Sequence, residues 1–278
     1  MIDVVDIHDT VSRLKSSGEA FALATVVRTI SVTSAKTGAK AVIMADGSIS
    51  DGWIGGGCAR AAVLKAAKEV IADGTTRLVS IQPEELLREQ EIESGITKNG
   101  VKFATNMCPS KGTMDIFVEA ILPRPELVIF GASPVAIALA ALAKPMGFTT
   151  TICAEPNEHD KFHFADKFVD GLNYETNTSN KRYVIVSTQG RGDQVSLENA
   201  LSLNAEFVAF VGSRKKAEKL KGNLVDTGMS HDQLNTIKAP AGLDINAITP
   251  EEIALSILAE LTQFRRADQY QSFRSDHG

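Results

Sequence analysis

Three glycines followed by a thiol, in the stretch Trp53-Ile54-Gly55-Gly56-Gly57-Cys58-Ala59-Arg60, mark the place where this sequence could do chemistry. The glycines free the backbone for close approach to a ligand. The residues that follow, Ala61-Ala62-Val63-Leu64-Lys65-Ala66-Ala67-Lys68-Glu69-Val70-Ile71, form a strong helix that stops at Asp73-Gly74. Gly55, Gly56 and Gly57 therefore precede a helix N-terminus, whose unpaired amides and dipole attract a phosphate or stabilise a thiolate. Cys58 stands where thiol pKa values fall and reactivity rises. The same residues also suit a tight strand-to-helix turn with a small buried cysteine, so the surroundings must decide.

A second thiol lies in the turn Asn106-Met107-Cys108-Pro109-Ser110-Lys111-Gly112, where Lys111 could favour a thiolate on Cys108. Paired in space with Cys58 it would make a sulfur relay or a soft ligand pair, and otherwise the segment is a plain loop. Cys153, at the end of an apolar run, reads as a packing residue. Gly131-Ala132-Ser133-Pro134-Val135-Ala136 is a degraded dinucleotide fingerprint. Ser133 replaces the second glycine, which lets backbone approach pyrophosphate, and Ala136 is an accepted third member. Glu155 is the acidic residue available for a ribose. Two basic turns, Thr188-Gln189-Gly190-Arg191-Gly192-Asp193 and Gly212-Ser213-Arg214-Lys215-Lys216, also follow strands. With the Ser133 turn they could form a phosphate crevice, or they are solvated first turns of helices. His159 and His163 have the i,i+4 spacing of a helical metal site, without a third ligand nearby. No protein-only metal site is expected. The sequence has no G-x-x-x-x-G-K-[ST], G-x-S-x-G or H-E-x-x-H motif.

The elements that hold these groups divide into two domains, 1–123 and 124–278, because Pro123-Arg124-Pro125 forbids regular continuation. The first reads as α+β: a helix over 3–17, strands over 21–29, 39–45 and 48–54 with Asp46-Gly47 as a hairpin turn, the Cys58 helix, a strand over 76–81, a short helix from Pro83, and a strand over 113–121. The second reads as a Rossmann-like, doubly wound parallel sheet. Its strands are Leu127–Phe130, Phe148–Cys153, Tyr183–Ser187 and Phe207–Val211, each followed by a turn. Its last helix opens with the capping box Thr249-Pro250-Glu251-Glu252 and carries the stripe Ile253, Ile257, Leu261 and Phe264. Residues 267–278 are expected to be a loose tail. A net charge of −5 argues against nucleic acid or an anionic membrane as partner. The three scattered cysteines fit a reducing cytoplasm, and the acidic N-terminus does not read as a signal peptide.

Taken together these residues resemble the XdhC/CoxI/CoxF-like family, the accessory factors of xanthine dehydrogenase and carbon monoxide dehydrogenase. The resemblance runs nearly end to end. It is carried by Ala24-Thr25-Val26-Val27-Arg28-Thr29 with Gly38-Ala39-Lys40, by Gly55-Gly56-Gly57-Cys58, and by Cys108 with Gly112-Thr113-Met114-Asp115. In the second half it is carried by Gly131 with Pro134-Val135-Ala136, Gly212-Ser213-Arg214, Gly242-Leu243-Asp244-Ile245 and Thr249-Pro250-Glu251-Glu252. It implies a cysteine-bearing N-terminal domain, a C-terminal Rossmann domain, and a factor that binds molybdopterin or its cytosine dinucleotide form. Such a factor supports sulfuration of the pterin with a cysteine desulfurase and delivers it to a molybdenum hydroxylase apoenzyme. Family members usually carry Gly-Ser-x-Pro-Arg between the Arg28 strand and Gly38. Here Ser31-Val32-Thr33-Ser34-Ala35-Lys36 stands instead, so that basic contact is lost or passes to Lys36; Arg60 stands where many members have Glu.

On this reading Cys58 carries a persulfide or contacts the cofactor molybdenum, and Cys108 assists. The cofactor-binding set is Arg28, Lys36, Lys40, Gly55, Gly56, Gly57 and Lys111 in the first domain. In the second it is Gly131, Ser133, Pro134, Gly190, Gly212, Ser213, Arg214 and Asp244. A homodimer would suit a delivery protein. The rivals are an NAD(P)-dependent oxidoreductase and a nucleotide-binding scaffold without chemistry.

Overall fold

A computed structural model describes residues 6–109, 111–176 and 180–277; the side chains of Cys58 and of residues 268–277 lie outside that description. The chain divides into two compact units, Met1–Pro123 and Arg124–Gly278.

The first unit contains α1 (Ile7–Ser17), β1 (Phe21–Ile30), β2 (Lys40–Met44), β3 (Ile49–Gly52), α2 (Gly57–Asp73), β4 (Thr76–Pro83), α3 (Glu84–Glu89), β5 (Thr97–Lys98), β6 (Val101–Asn106) and β7 (Thr113–Ile121). Its seven strands form one sheet in the order β3-β2-β1-β7-β4-β6-β5. Neighbours are antiparallel except β4 and β6, which run parallel. Alternation on β1 sends Ala22, Ala24 and Val26 to one face. There they meet Ile116 and Val118 of β7 and the apolar side of α2, Val63, Ala66, Ala67 and Val70, all fully buried. Phe21 points the other way and packs with Leu14 of α1 and Val42.

The second unit contains β8 (Glu126–Phe130), α4 (Pro134–Ala143), β9 (Thr149–Ala154), a 3₁₀ segment (Pro156–Lys161), β10 (Lys167–Asp170), β11 (Arg182–Val186), α5 (Asp193–Ser202), β12 (Phe207–Phe210), α6 (Arg214–Asp226), α7 (His231–Asn235), β13 (Ile237–Lys238) and α8 (Pro250–His277). All six strands are parallel, in the order β10-β9-β8-β11-β12-β13. Numbered within the unit this is 3-2-1-4-5-6, the doubly wound dinucleotide-fold order, whose direction reverses between β8 and β11. Leu127, Ile129 and Ile185 pack under α4 and α8, while Val128, Phe130, Val184 and Val186 pack under α5 and α6. Strands covered on both faces read as unbroken apolar runs, which is why they were legible.

Four features depart from the sequence expectation. β5 and β6 are unforeseen, because Val101-Lys102-Phe103-Ala104-Thr105-Asn106 carries little apolar patterning and owes its strand state to pairing with β4. β10 and β13 are edge strands too short to show a pattern. Residues expected as a loose tail continue α8 to His277, since no glycine or proline intervenes to stop it. Finally, Pro156–Lys161 is 3₁₀ rather than α, with three residues per turn, so the four-residue spacing of His159 and His163 does not stack them as a metal pair.

Candidate functional site

In the first unit, three loops enclose a cavity of about 530 Å³. One wall is the segment after β1, Val32-Thr33-Ser34; the second is the glycine turn, Gly56 and Gly57 with Ala59 of α2; the third is Asn106-Met107-Cys108, with Ile81 and Met114 beneath. The glycine turn and the Cys108 loop, 50 residues apart in sequence, thus face one space. Two close approaches hold the loops together. Gly55 has φ +103°, and a Cβ there would come 2.6 Å from Ser34 Oγ. Gly112 lets the carbonyl of Val32 come in, where a Cβ would lie 2.3 Å from that oxygen, and Val32 bridges Lys111. The Cys108 loop is braced further by Asn106, whose Nδ2 donates to Gly112 O (2.6 Å) and whose Oδ1 accepts from Cys108 N (3.0 Å).

The α2 N-terminus that opens here fits an anion. Its N-cap is Gly56, whose N–H donates to Ser34 Oγ (3.4 Å); among the described residues no side chain caps the helix, and its first turn contains no acidic residue. The cations expected to join it line other surfaces. Arg28 Nε is bound to Asp115 Oδ2 (2.5 Å), Lys40 Nζ donates to Thr25 Oγ1 (2.9 Å), and Lys111 Nζ is bound to Glu85 Oε1 (2.5 Å). Lys36 is exposed. None of the four is among the lining residues. Cys58 is the second residue of α2, and its side chain lies outside the described residues. Cys108 is exposed.

The second unit has its own cavity, about 690 Å³, at the carboxyl ends of β8, β9 and β11 where the strand order reverses. Gly131 (φ +95°) is obligatory there, because a Cβ would lie 2.7 Å from Ser187 O and from Thr188 Cα. Ser133 and Pro134 line the crevice with Glu155, Glu158, Lys161 and Arg191. Gly190, Gly212, Ser213, Arg214 and Asp244 are not in the lining. Gly190 N donates to Asp193 Oδ1 (2.9 Å), Ser213 caps α6, and Asp244 is exposed. Burial works to raise the carboxyl pKa of Asp193, but hydrogen bonds from Lys216, Thr188 and the Gly190 amide outweigh it and hold the group below its usual range.

Cys153 is fully buried; desolvation, with the nearby Glu126 charge, pushes its thiol up to about 12, so it stays protonated and inert. Glu126 belongs to a buried cluster at the opposite end of the sheet. It accepts from Arg182 Nε (2.8 Å), Thr151 Oγ1 (2.7 Å) and the Tyr174 hydroxyl (2.8 Å), tying β8, β9 and β11 together. His159 spends its Nε2 on Ala154 O (3.0 Å) and stacks on Phe168. Among the described residues no three His, Cys, Asp or Glu side chains are grouped to hold a metal. Sequence reasoning overlooked Val32–Ser34 and Met114 as cavity walls, and Glu158 and Lys161 as crevice groups, while Arg191 belongs to a turn it placed in the crevice. Gly112 was the available signal for the first, because a glycine outside a turn conformation marks a close neighbour.

These features define a two-unit protein: an α+β unit with a thiol-flanked cavity at an uncapped helix N-terminus, joined to a dinucleotide-fold unit. Residues 14–82 match the XdhC and CoxI family and residues 127–261 match the XdhC Rossmann domain. The chain belongs to the XdhC and CoxI family. It is 25% identical over 274 residues to the uncharacterized protein YqeB of Escherichia coli K12, covering 94% of this chain and 46% of that protein. It is 26% identical over 162 residues to a probable xanthine dehydrogenase component of Bacillus subtilis, covering 55% of this chain and 47% of that protein. The chain therefore spans about half the length of these curated relatives. A crystal structure of a xanthine dehydrogenase from Bacillus halodurans aligns over 93% of this chain and 95% of that one, with 19% identity and a TM-score of 0.46. Among the described residues no helix is long and apolar enough to cross a membrane.

Proposed function

We propose that this protein is an accessory factor for a molybdenum hydroxylase of the xanthine dehydrogenase type, which binds molybdopterin or its dinucleotide form, supports its sulfuration, and hands it to the apoenzyme in the cytoplasm. The observation that carries the reading is the first-unit cavity, where a glycine turn before an uncapped helix and a cysteine loop face one space in a chain of this family. The residues fit such a group. Val32, Ala59, Ile81, Met107 and Met114 offer apolar walls for a planar ring, and the α2 amides suit its phosphate. When bound, the cofactor would supply the molybdenum–dithiolene chemistry, and the protein's part is to hold it and to present sulfur. Cys58 is assigned the persulfide or the contact to molybdenum, with Cys108 assisting and a cysteine desulfurase as sulfur source. With Arg28, Lys40 and Lys111 engaged elsewhere, backbone amides rather than side-chain cations would meet the phosphate.

The test is to co-express the chain with molybdenum-cofactor synthesis and analyse the purified protein by mass spectrometry for bound pterin, in parallel with maturation of a client hydroxylase. The unmodified protein is expected to carry pterin. Cys58→Ser should retain it while maturing its client poorly, because an alcohol neither carries persulfide sulfur nor serves as a soft ligand. Absence of pterin from the unmodified protein, or full client activity with the serine variant, overturns the assignment. The strand order of the second unit favours one other reading, an NAD(P)-dependent oxidoreductase. Turnover of NAD(P)H with common alcohols, aldehydes or 2-hydroxy acids would put that reading first.

A further inference from the structure

The second unit's crevice has the position of a dinucleotide site but lacks two of its phosphate-binding amides. In the fingerprint, pyrophosphate lies on the amides at the N-terminus of the helix after the first strand. Here Pro134 at the first helical position has no N–H. The Ala136 N–H is given to Ser133 Oγ (3.1 Å), and the Ile137 N–H to Ser133 O (3.0 Å). Ser133 is itself buried and bonded to Ser187 Oγ (2.6 Å), so its hydroxyl is fixed as a cap. Of the two neighbouring helix starts, α6 is closed in the same way, and α5, whose N-cap is Gly192 without a side-chain cap, carries the Asp193 carboxylate at its first position. Asp193 at the start of α5 accepts from Gly190 N (2.9 Å) and pairs with Lys216 (2.6 Å), and Ser213 Oγ caps α6 at Lys216 N (3.3 Å). At α4, Ser133 Oγ thus takes one amide that phosphate oxygens would use and Pro134 removes another.

What remains open in the crevice is a different set. Glu155 directly follows β9, where a carboxylate can hold a ribose diol, and its side chain is exposed. Lys161, from the 3₁₀ segment, and Arg191, from the turn after β11, approach Glu158 at 3.2 Å and 4.0 Å. These two side chains come from different elements and can turn to an anion in place of Glu158. Ala132 and Ile137 supply apolar wall.

We propose that the crevice is a mononucleotide site rather than a dinucleotide site: Glu155 holds the ribose 2′,3′-diol of a nucleoside 5′-monophosphate, Lys161 and Arg191 take its phosphate, and Ser133 shuts the pyrophosphate path over the glycine turn. The assignment rests on crevice residues alone and is independent of pterin binding in the first unit.

Isothermal titration of the full-length protein with AMP, CMP, 2′,3′-dideoxy-AMP and NAD tests it. At least one of AMP and CMP should bind saturably, with NAD no more than about threefold tighter than AMP; dideoxy-AMP should bind at least about tenfold more weakly, and so should AMP to Glu155→Ala. The dideoxy ligand needs no variant, so it decides the diol contact even if the alanine protein folds poorly. Ser133→Gly frees the Ala136 amide and should tighten NAD about tenfold relative to AMP. The proposal is overturned if neither mononucleotide saturates, if NAD binds the unmodified protein tenfold tighter than AMP, if dideoxy-AMP matches AMP, or if Ser133→Gly leaves NAD unaffected. A pterin found by mass spectrometry in protein that fails these titrations would leave the first-unit reading standing without this one.

Discussion

Gly112→Ala is the sharpest probe of the first-unit cavity, because its effect must come from contact rather than from backbone strain. Gly112 does not lie in the left-handed region, so alanine is allowed there by its own dihedral angles. Yet the new methyl would sit 2.3 Å from Val32 O, 3.0 Å from Val32 C and 2.7 Å from Thr33 Cγ2. Two of those atoms are backbone, so no side chain can swing away, and the 32–34 wall must move off β7. Overpacking of this kind costs about 1–3 kcal/mol, and loss of the Val32–Lys111 bridge adds about 1 kcal/mol. The expected destabilisation is about 2–4 kcal/mol, on the order of 30- to 1,000-fold in the folding equilibrium. Trp53, the only tryptophan, lies next to the glycine turn, so urea unfolding followed by its fluorescence reports the first unit. Gly100→Ala is the control: it has φ +74° with no atom within 4 Å of the new Cβ, so it should cost only the left-handed strain of roughly 1–2 kcal/mol. A Gly112→Ala protein within about 0.5 kcal/mol of the unmodified one would refute the close approach that builds the cavity wall.

In the second unit, Gly222→Ala lies inside α6 with open space at the new Cβ and should stabilise by about 1 kcal/mol, visible as a higher urea midpoint; an unchanged or lower midpoint contradicts the placement. Asp193→Asn should destabilise by about 1–3 kcal/mol at pH 7. Because the folded Asp193 carboxyl is held below 3.8, its contribution is present above that value and is lost as pH falls through the folded value. The gap between the two proteins should therefore narrow in acid, and a gap constant from pH 7 to pH 3 would show that the carboxylate charge is not what matters. Native-state labelling with maleimide at pH 8 should reach Cys108 well before Cys153, whose thiol at about 12 is about one part in 10,000 ionised there; equal rates would mean the second core opens freely.

How much of this was legible depended on whether a residue's partner was near in sequence. The 3-2-1-4-5-6 sheet could be anticipated because β8, β9, β11 and β12 are buried on both faces and read as apolar runs, and the β8–α4 turn keeps its first glycine. The glycine turn before α2 was equally plain, since helix start, helix stop and glycines are consecutive. That Cys108 faces the same cavity was not readable, because it depends on β7 lying between β1 and β4 in the sheet. The cationic set fared differently for the same reason. Arg28 is opposite Asp115 in the β1–β7 register and Lys111 reaches Glu85 on α3, pairings that only the tertiary fold creates. β6 shows the limit for secondary structure, since its strand state is imposed by its partner rather than by its own side chains.

The two glycine turns look alike in sequence and are finished in opposite ways. At α2 the N-cap is a glycine whose own N–H goes to Ser34 Oγ (3.4 Å); among the described residues no side chain caps the helix, and the first turn holds no carboxylate, so the helix start fits an external anion. At α4 the serine cap takes the Ala136 amide and Pro134 offers none, and α6 carries a serine cap in the equivalent place, while α5 has a glycine N-cap followed by the Asp193 carboxylate. A chain selected only for a nicotinamide dinucleotide would be expected to keep the α4 amides open, and one that only needed a stable α2 would gain about 1 kcal/mol by capping it with serine or aspartate. A stabilising side-chain cap stands on the crevice of the dinucleotide fold, at α4, and none among the described residues stands at α2 beside the cysteines. On the function proposed here, phosphate recognition through backbone amides falls to the first unit, and the second is left a crevice read by side chains.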